Sequence, residues 1–289
     1  MKNWETIKVD DSYAEENVYI LKLNRPDAMN ALNTKMAVEL IDCLGILKRL
    51  PKLRVLILTG SGSKSFCVGG DLKERKGMTQ EEWKDQHDIF EEAYAQIRNF
   101  PFPVIAAVNG FALGGGLEMV LSCDLNYVAE HAKLGLPEVK IGIIPGAGGT
   151  QLLPRAIPVA IAKEYLFSGR QIPAEKAVAT GLSNGLYQAE RLMEETMQVA
   201  QEIARNAPLS LKSIKQSVER GLQADLHSAL EIELDQYYKC ANSRDRQEGV
   251  DAFNEKKKAC LDGGVILQGK ERFICCHWKE LQSSRWNRR

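Results

Sequence analysis

In the first half of the chain, short apolar runs alternate with segments of helical period. Val18 to Leu23 is an apolar, β-rich run, stopped by the turn-forming Asn24-Arg25-Pro26-Asp27. From Thr34 the period becomes helical, with Met36, Leu40, Ile41, Leu44 and Leu47 recurring on one face. Arg54 to Thr59 predicts a short buried strand ended by Gly60-Ser61-Gly62, and Pro103 to Val108 predicts another. Glu81 to Arg98 between them reads as a helix. A further helix starts in the glycine run after Leu113, and Leu125 to Val128 reads as a strand. This alternation indicates an α/β core whose helices cover its sheets. Beyond Gly149 the pattern changes. Ala160 to Phe167, Ala174 to Thr180, Glu190 to Arg205, Leu209 to Leu222 and Leu226 to Cys240 all read as helices with few strands between them. Pro208 sits at a helix start, where proline is tolerated.

With 289 residues and 44% hydrophobic content, the chain is long enough for one large domain or two modest ones. Lysine plus arginine (38) balances aspartate plus glutamate (38), so net charge points to neither nucleic acid nor a membrane surface as partner. The seven cysteines are scattered without a CxxC pair, which favours a reducing compartment over a disulfide framework. The opening MKNWETIKVDD has no apolar targeting core, and no run of about 18 apolar residues offers a membrane span. A cytoplasmic location is expected, or the mitochondrial matrix if the sequence is a mature form.

Three segments carry candidate chemistry. In Asn109 to Asp124, the glycines Gly114, Gly115 and Gly116 occupy a helix start, where their propensity is unfavourable but their free N–H groups suit an oxyanion or phosphate. A tightly packed turn would explain the glycines alone equally well. Glu118 follows within Leu-Glu-Met-Val-Leu, a stretch built for burial; a buried, unpaired carboxylate is costly, whereas an outward-facing one is ordinary. In Gly135 to Thr150, Glu138 stands between a proline and an apolar run, with Gly146, Gly148 and Gly149 beyond it. In Ser65 to Glu74, Gly69 and Gly70 open the backbone, Asp71 reads as a helix cap and Lys73 adds a cation. Two carboxylates beside glycine-rich backbone are the parts needed to add water across a polarised double bond. The dinucleotide fingerprint fails because its third glycine would fall at Ser65, and Gly62-Ser-Lys64-Ser65 lacks the P-loop order. His87, His131 and His227 show no paired metal-ligand spacing.

These segments, together with Asn24-Arg-Pro-Asp-Ala-Met-Asn-Ala-Leu32 and Glu248-Gly-Val-Asp-Ala-Phe-Asn-Glu-Lys-Lys258, resemble the crotonase (enoyl-CoA hydratase/isomerase) superfamily from about residue 5 to about residue 262. The resemblance implies an α/β spiral of repeated ββα units over residues 1–200 and a C-terminal helical module over 201–262 that builds trimers, often paired into hexamers. Residues 263–289 are an extension beyond the usual family end. The N–H groups of Gly70 and Gly115 would form the oxyanion hole of an acyl-CoA thioester. Glu118 would activate water, and Glu138 would exchange the proton at Cα. Ala28, Asn30, Ala31, Leu32, Val68, Asp71, Leu72, Lys73 and Gly114 would contact substrate or coenzyme A, with Phe253 and Lys256 at the nucleotide end. No metal or redox cofactor is implied, coenzyme A being part of the substrate. Both glutamates being present favours hydration of a 2-enoyl-CoA. The alternatives are an isomerase or other crotonase-type reaction, and a non-catalytic CoA-binding or RNA-associated protein. The chain departs from the family at Leu152, where many members carry arginine. It departs again in its tail, whose six basic residues against two acidic ones and adjacent Cys275-Cys276-His277 lack zinc-site spacing.

Overall fold

The computed structural model describes residues 2–264. The chain forms two compact units, one ending at Arg205 and one beginning at Asn206. The first is built on β2 (Val18–Leu23), β3 (Val55–Gly60) and β5 (Val104–Val108), whose side chains are almost all buried. Continuous apolar runs mark strands covered on both faces, and these pair in parallel. They are the centre of a six-stranded sheet in the order β1-β2-β3-β5-β7-β10. Its edges are β1 (Ile7–Asp10), antiparallel to β2, and β10 (Gly185–Tyr187), parallel to β7 (Leu125–Ala129).

A second, four-stranded sheet runs in the order β4-β6-β8-β9, using Ser65–Cys67, Phe111–Leu113, Lys133–Gly135 and Ile172–Pro173. The pairs β3/β4, β5/β6 and β7/β8 each send one strand to each sheet. Helices follow each pair: α2 (Leu72–Arg75) and α3 (Gln80–Arg98), then α4 (Gly115–Leu121), then α5 (Gly149–Ala156). This is the ββα repeat implied by the sequence motifs. Every candidate glycine segment falls just after a strand of the small sheet, so the repeat stacks them on one side.

Helix α1 (Thr34–Leu47) is capped by the Asn33 side chain, which accepts from the Met36 N–H, and buries Met36, Leu40, Leu44 and Leu47. The start of α3 carries a reciprocal capping box between Thr79 and Glu82. After α6 (Val159–Ser168) and α7 (Ala174–Thr180), α8 (Leu192–Ala204) packs on the large sheet. The region beyond Gly149 therefore still supplies a strand to each sheet. Both strands have two or three residues, too few to show a period.

The second unit holds α9 (Pro208–Gly221), α10 (Leu226–Ala241) and α11 (Arg244–Asn254). Pro208 occupies the first helical position of α9, as its fixed φ favours. Leu226, Leu230 and Leu234 are four residues apart on α10 and remain exposed. Cys275, Cys276 and His277 lie outside the described residues. Among the described residues no helix is long and apolar enough to cross a membrane, and no cluster of potential metal ligands occurs.

Candidate active site

The glycine run at the start of α4 is fixed by contact on three sides. Gly114 has φ 53° and ψ −127°, a conformation open essentially to glycine alone, and its N–H donates to the Gly135 carbonyl at 2.8 Å. A methyl group on Gly114 would meet Glu138 Oε1 at 2.9 Å, one on Gly115 the Tyr94 hydroxyl at 2.5 Å, and one on Gly116 the Cys67 carbonyl at 1.9 Å. Tight packing therefore requires glycine at each of these three positions.

One turn into α4, Glu118 is 4% exposed. Its Oε1 accepts two backbone N–H groups, from Ala147 and Gly149, each at 2.8 Å. Burial pushes its carboxyl above the ordinary range, against the pull of those two N–H groups and of His87 and Arg98. The loop before α5 thus holds this side chain in one orientation.

Glu138 opens the 3-10 turn Glu138–Ile141, just after Pro137. Its Oε2 is buried and has no hydrogen-bond partner among the described residues. Burial raises its pKa to about 7, opposed by its own backbone N–H and reinforced by the charge of Glu118. A buried acceptor left unsatisfied marks a place where a ligand or water completes the site.

The loop Gly69–Asp71 is tied to the backbone of Leu32. The Leu32 N–H donates to the Gly69 carbonyl, and the Asp71 N–H donates to the Leu32 carbonyl, both at 2.8 Å. The Asp71 side chain caps α2, accepting from Lys73 and Glu74, and pairs with Arg25 at 2.9 Å. Gly69 has φ 91°, and a methyl group on it would lie 3.0 Å from the Gly115 nitrogen, so the two glycine segments touch. The N–H groups of Gly70 and Gly115 donate to no protein acceptor among the described residues.

All of this faces one cavity of about 1210 Å³. Glu118, Glu138, Gly70, Gly114 and Gly115 line it, as do Val68 and Leu72. The other expected contacts do not. Asn30 is fully buried, its amide bonded to Arg25, Ser61 and Ser65, so its side chain supports the chain rather than facing a ligand. Leu32 is fully buried and Ala31 nearly so; Ala28 is partly buried, Asp71 is engaged with Arg25, and Lys73 is exposed outside the cavity wall. Phe253 and Lys256 belong to the second unit, Phe253 strongly exposed and Lys256 with φ 55°.

The motif resemblance also implies that the helix 81–98 borders the acyl pocket, without saying which of its side chains form the wall. Trp83, His87, Phe90 and Tyr94 recur at helical spacing and all line the cavity, and the Tyr94 hydroxyl donates to the Gly115 carbonyl at 2.9 Å. That spacing was visible as a stripe of large side chains, indistinguishable in sequence from a core-facing one. The N–H donors of Ala147 and Gly149 carry no side-chain signal at all.

The family model described as enoyl-CoA hydratase/isomerase matches residues 13–275. This chain belongs to that family. The crotonyl-CoA hydratase of Syntrophomonas wolfei is 40% identical over 245 residues, covering 85% of this chain and 94% of the relative. The short-chain-enoyl-CoA hydratase of Clostridium acetobutylicum is 38% identical over 244 residues, covering 84% and 94% respectively. A crystal structure of enoyl-CoA hydratase from Bacillus anthracis superposes with a TM-score of 0.87 at 41% identity, covering 90% of this chain and all of the other. The fold is therefore the crotonase fold, and the chain is a hydratase-like enzyme of a family that acts on acyl-CoA thioesters.

Proposed function

We propose that this enzyme hydrates the 2,3 double bond of a 2-enoyl-CoA to give a 3-hydroxyacyl-CoA. The observation that carries the reading is the pair of carboxylates on one cavity, Glu118 buried and Glu138 partly buried, beside the unengaged N–H groups of Gly70 and Gly115. Those two donors take the thioester oxygen, which gains negative charge as the enolate forms; preorganised backbone dipoles stabilise such charge in a site with little water. Glu118, oriented by Ala147 and Gly149, holds the attacking water and accepts its proton. Glu138, with a pKa near neutrality, is suited to deliver the proton to Cα and to remove it in the reverse direction. An isomerase needs a single carboxylate to move a proton between two carbons, and a second buried, pre-oriented carboxylate favours water addition instead.

Val68, Leu72 and Gly114 are placed to border the bound thioester, and Tyr94 to position the Gly115 peptide. Contacts of Ala28, Ala31, Lys73, Phe253 and Lys256 with coenzyme A rest on the motif resemblance alone. The exposed leucine row on α10 supports self-association, with a homotrimer as the expected unit. The test is Glu138→Gln, which preserves shape and removes the titrating proton. It is expected to bind crotonyl-CoA while hydrating it about 10³-fold more slowly. Unchanged turnover would refute the reading.

A further inference from the structure

Arg75 is a cation on the cavity wall that the hydration chemistry leaves unused. It ends α2 and lies over the Trp83 ring, 4.2 Å from its centroid, and 5.3 Å from that of Phe90. Its Nε donates to Gln86 Oε1 at 2.8 Å. Gln86 is 3% exposed and is itself anchored through Nε2 to Thr34 Oγ1 and Glu74 Oε2, both at 2.8 Å. The neighbouring carboxylate, Glu74, is thus engaged by Gln86 and by the Thr34 N–H at 2.9 Å rather than by the guanidinium. Glu81 lines the same cavity and does not pair with Arg75 either. Among the described residues neither Nη atom of Arg75 donates to a protein acceptor.

The result is a half-buried, oriented fork with its two outer nitrogens unengaged. Burial draws its pKa below the ordinary arginine value, against the opposing influence of Tyr94 and Glu74, neither of which bonds to the guanidinium. A guanidinium held by stacking and one hydrogen bond is preorganised to bind a carboxylate through two parallel N–H···O bonds. Position sets the scale: a methyl group on Gly70 would meet the guanidinium carbon at 3.4 Å. An acyl group whose carbonyl sits at Gly70 and Gly115 reaches this fork after only a few carbons.

We infer that Arg75 recognises a carboxylate at the far end of a short acyl group, making the preferred thioester the mono-CoA ester of a small dicarboxylic acid. The inference rests on the hydratase reading for where the carbonyl lies. The test compares binding of 4-carboxybutanoyl-CoA and pentanoyl-CoA, saturated esters of equal chain length, by calorimetry on the full-length enzyme. The wild type is expected to prefer the carboxylated ester by about tenfold or more, as a charge-assisted bidentate pair implies. Arg75→Met is expected to abolish the preference, and Arg75→Lys, which keeps the charge without the fork, to leave part of it. Equal affinities in the wild type, a preference that survives Arg75→Met, or parallel loss of both esters in that variant would each overturn the assignment. Hydration of 4-carboxybut-2-enoyl-CoA by the wild type reports on the reaction separately. Its absence alongside an intact carboxylate preference would refute hydration and leave the recognition site standing.

Discussion

Glu118 and Glu138 face the same cavity from surroundings that differ in kind. Glu118 comes from a helix, is almost fully enclosed and has one oxygen clamped by two N–H groups. Glu138 comes from a 3-10 turn, is less enclosed and keeps one buried oxygen without a partner. Both are raised by burial, but only Glu138 is additionally raised by the other's charge. Pairs of carboxylates in unequal settings divide acid and base duties, since the environment sets which one holds the proton. On the proposed reading the clamped group is the fixed one, and the group with the open oxygen is the one that exchanges its proton.

The comparison breaks most sharply at Glu118. Glu118→Gln retains an oxygen for the Ala147 and Gly149 N–H groups but loses the charge, so hydration is expected to fall about 10³-fold in steady-state assays with the fold intact. An effect below about tenfold would show that the clamp, not the charge, is what the site needs. Gly114→Ala acts on the other side. Its methyl group would press on Glu138 Oε1 at 2.9 Å in a backbone conformation alanine resists, and kcat is expected to drop about 10²-fold. The Glu118 clamp should be untouched in that variant.

The pH dependence sharpens the same contrast. Hydration needs Glu138 protonated and Glu118 ionised, so kcat/KM for hydration should fall about tenfold per unit above about pH 7 and fall again on the acid side as Glu118 takes up its proton. The reverse dehydration starts from the tautomer with the proton on Glu118, which carries the same total charge, and should follow the same profile because the overall equilibrium takes up no proton. Stability gives the smallest effect. Folding raises the Glu138 carboxyl from its ordinary 4.5 to about 7. The stability this provides is present below about pH 4.5 and is lost as pH rises through about 7. At pH 8 Glu138→Gln is therefore expected to be more stable than wild type by about 1–2 kcal/mol, allowing for solvent screening, with the difference vanishing near pH 4 in denaturant melts.

The central strands were legible because buried parallel strands are written as unbroken apolar runs, as in Val104 to Val108. The strands of the small sheet were not. Ser65–Cys67, Phe111–Leu113 and Lys133–Gly135 span three residues each, and every one runs into a glycine segment that reads as loop. Of the site, Glu118, Glu138 and the glycines at 114–116 could be singled out from the residues, but each stayed open to an ordinary reading until the motif resemblance was added. What stayed hidden was the backbone: the N–H groups of Ala147 and Gly149 that orient Glu118 have no residue signature. The stripe Trp83, His87, Phe90, Tyr94 was hidden for a different reason, since a cavity-facing and a core-facing helix share one period. Asn30 presents the reverse case. A polar residue of a motif expected to contact coenzyme A has its side chain buried as a brace for the Ser61 and Ser65 carbonyls.

The division of labour between the two carboxylates is tested most directly by hydrogen exchange at Cα of butyryl-CoA in D₂O, which needs the oxyanion hole and one carboxylate but adds no water. The account predicts that Glu118→Gln still catalyses this exchange while failing to hydrate crotonyl-CoA, and that Glu138→Gln loses both. Exchange surviving in Glu138→Gln and lost in Glu118→Gln would contradict it.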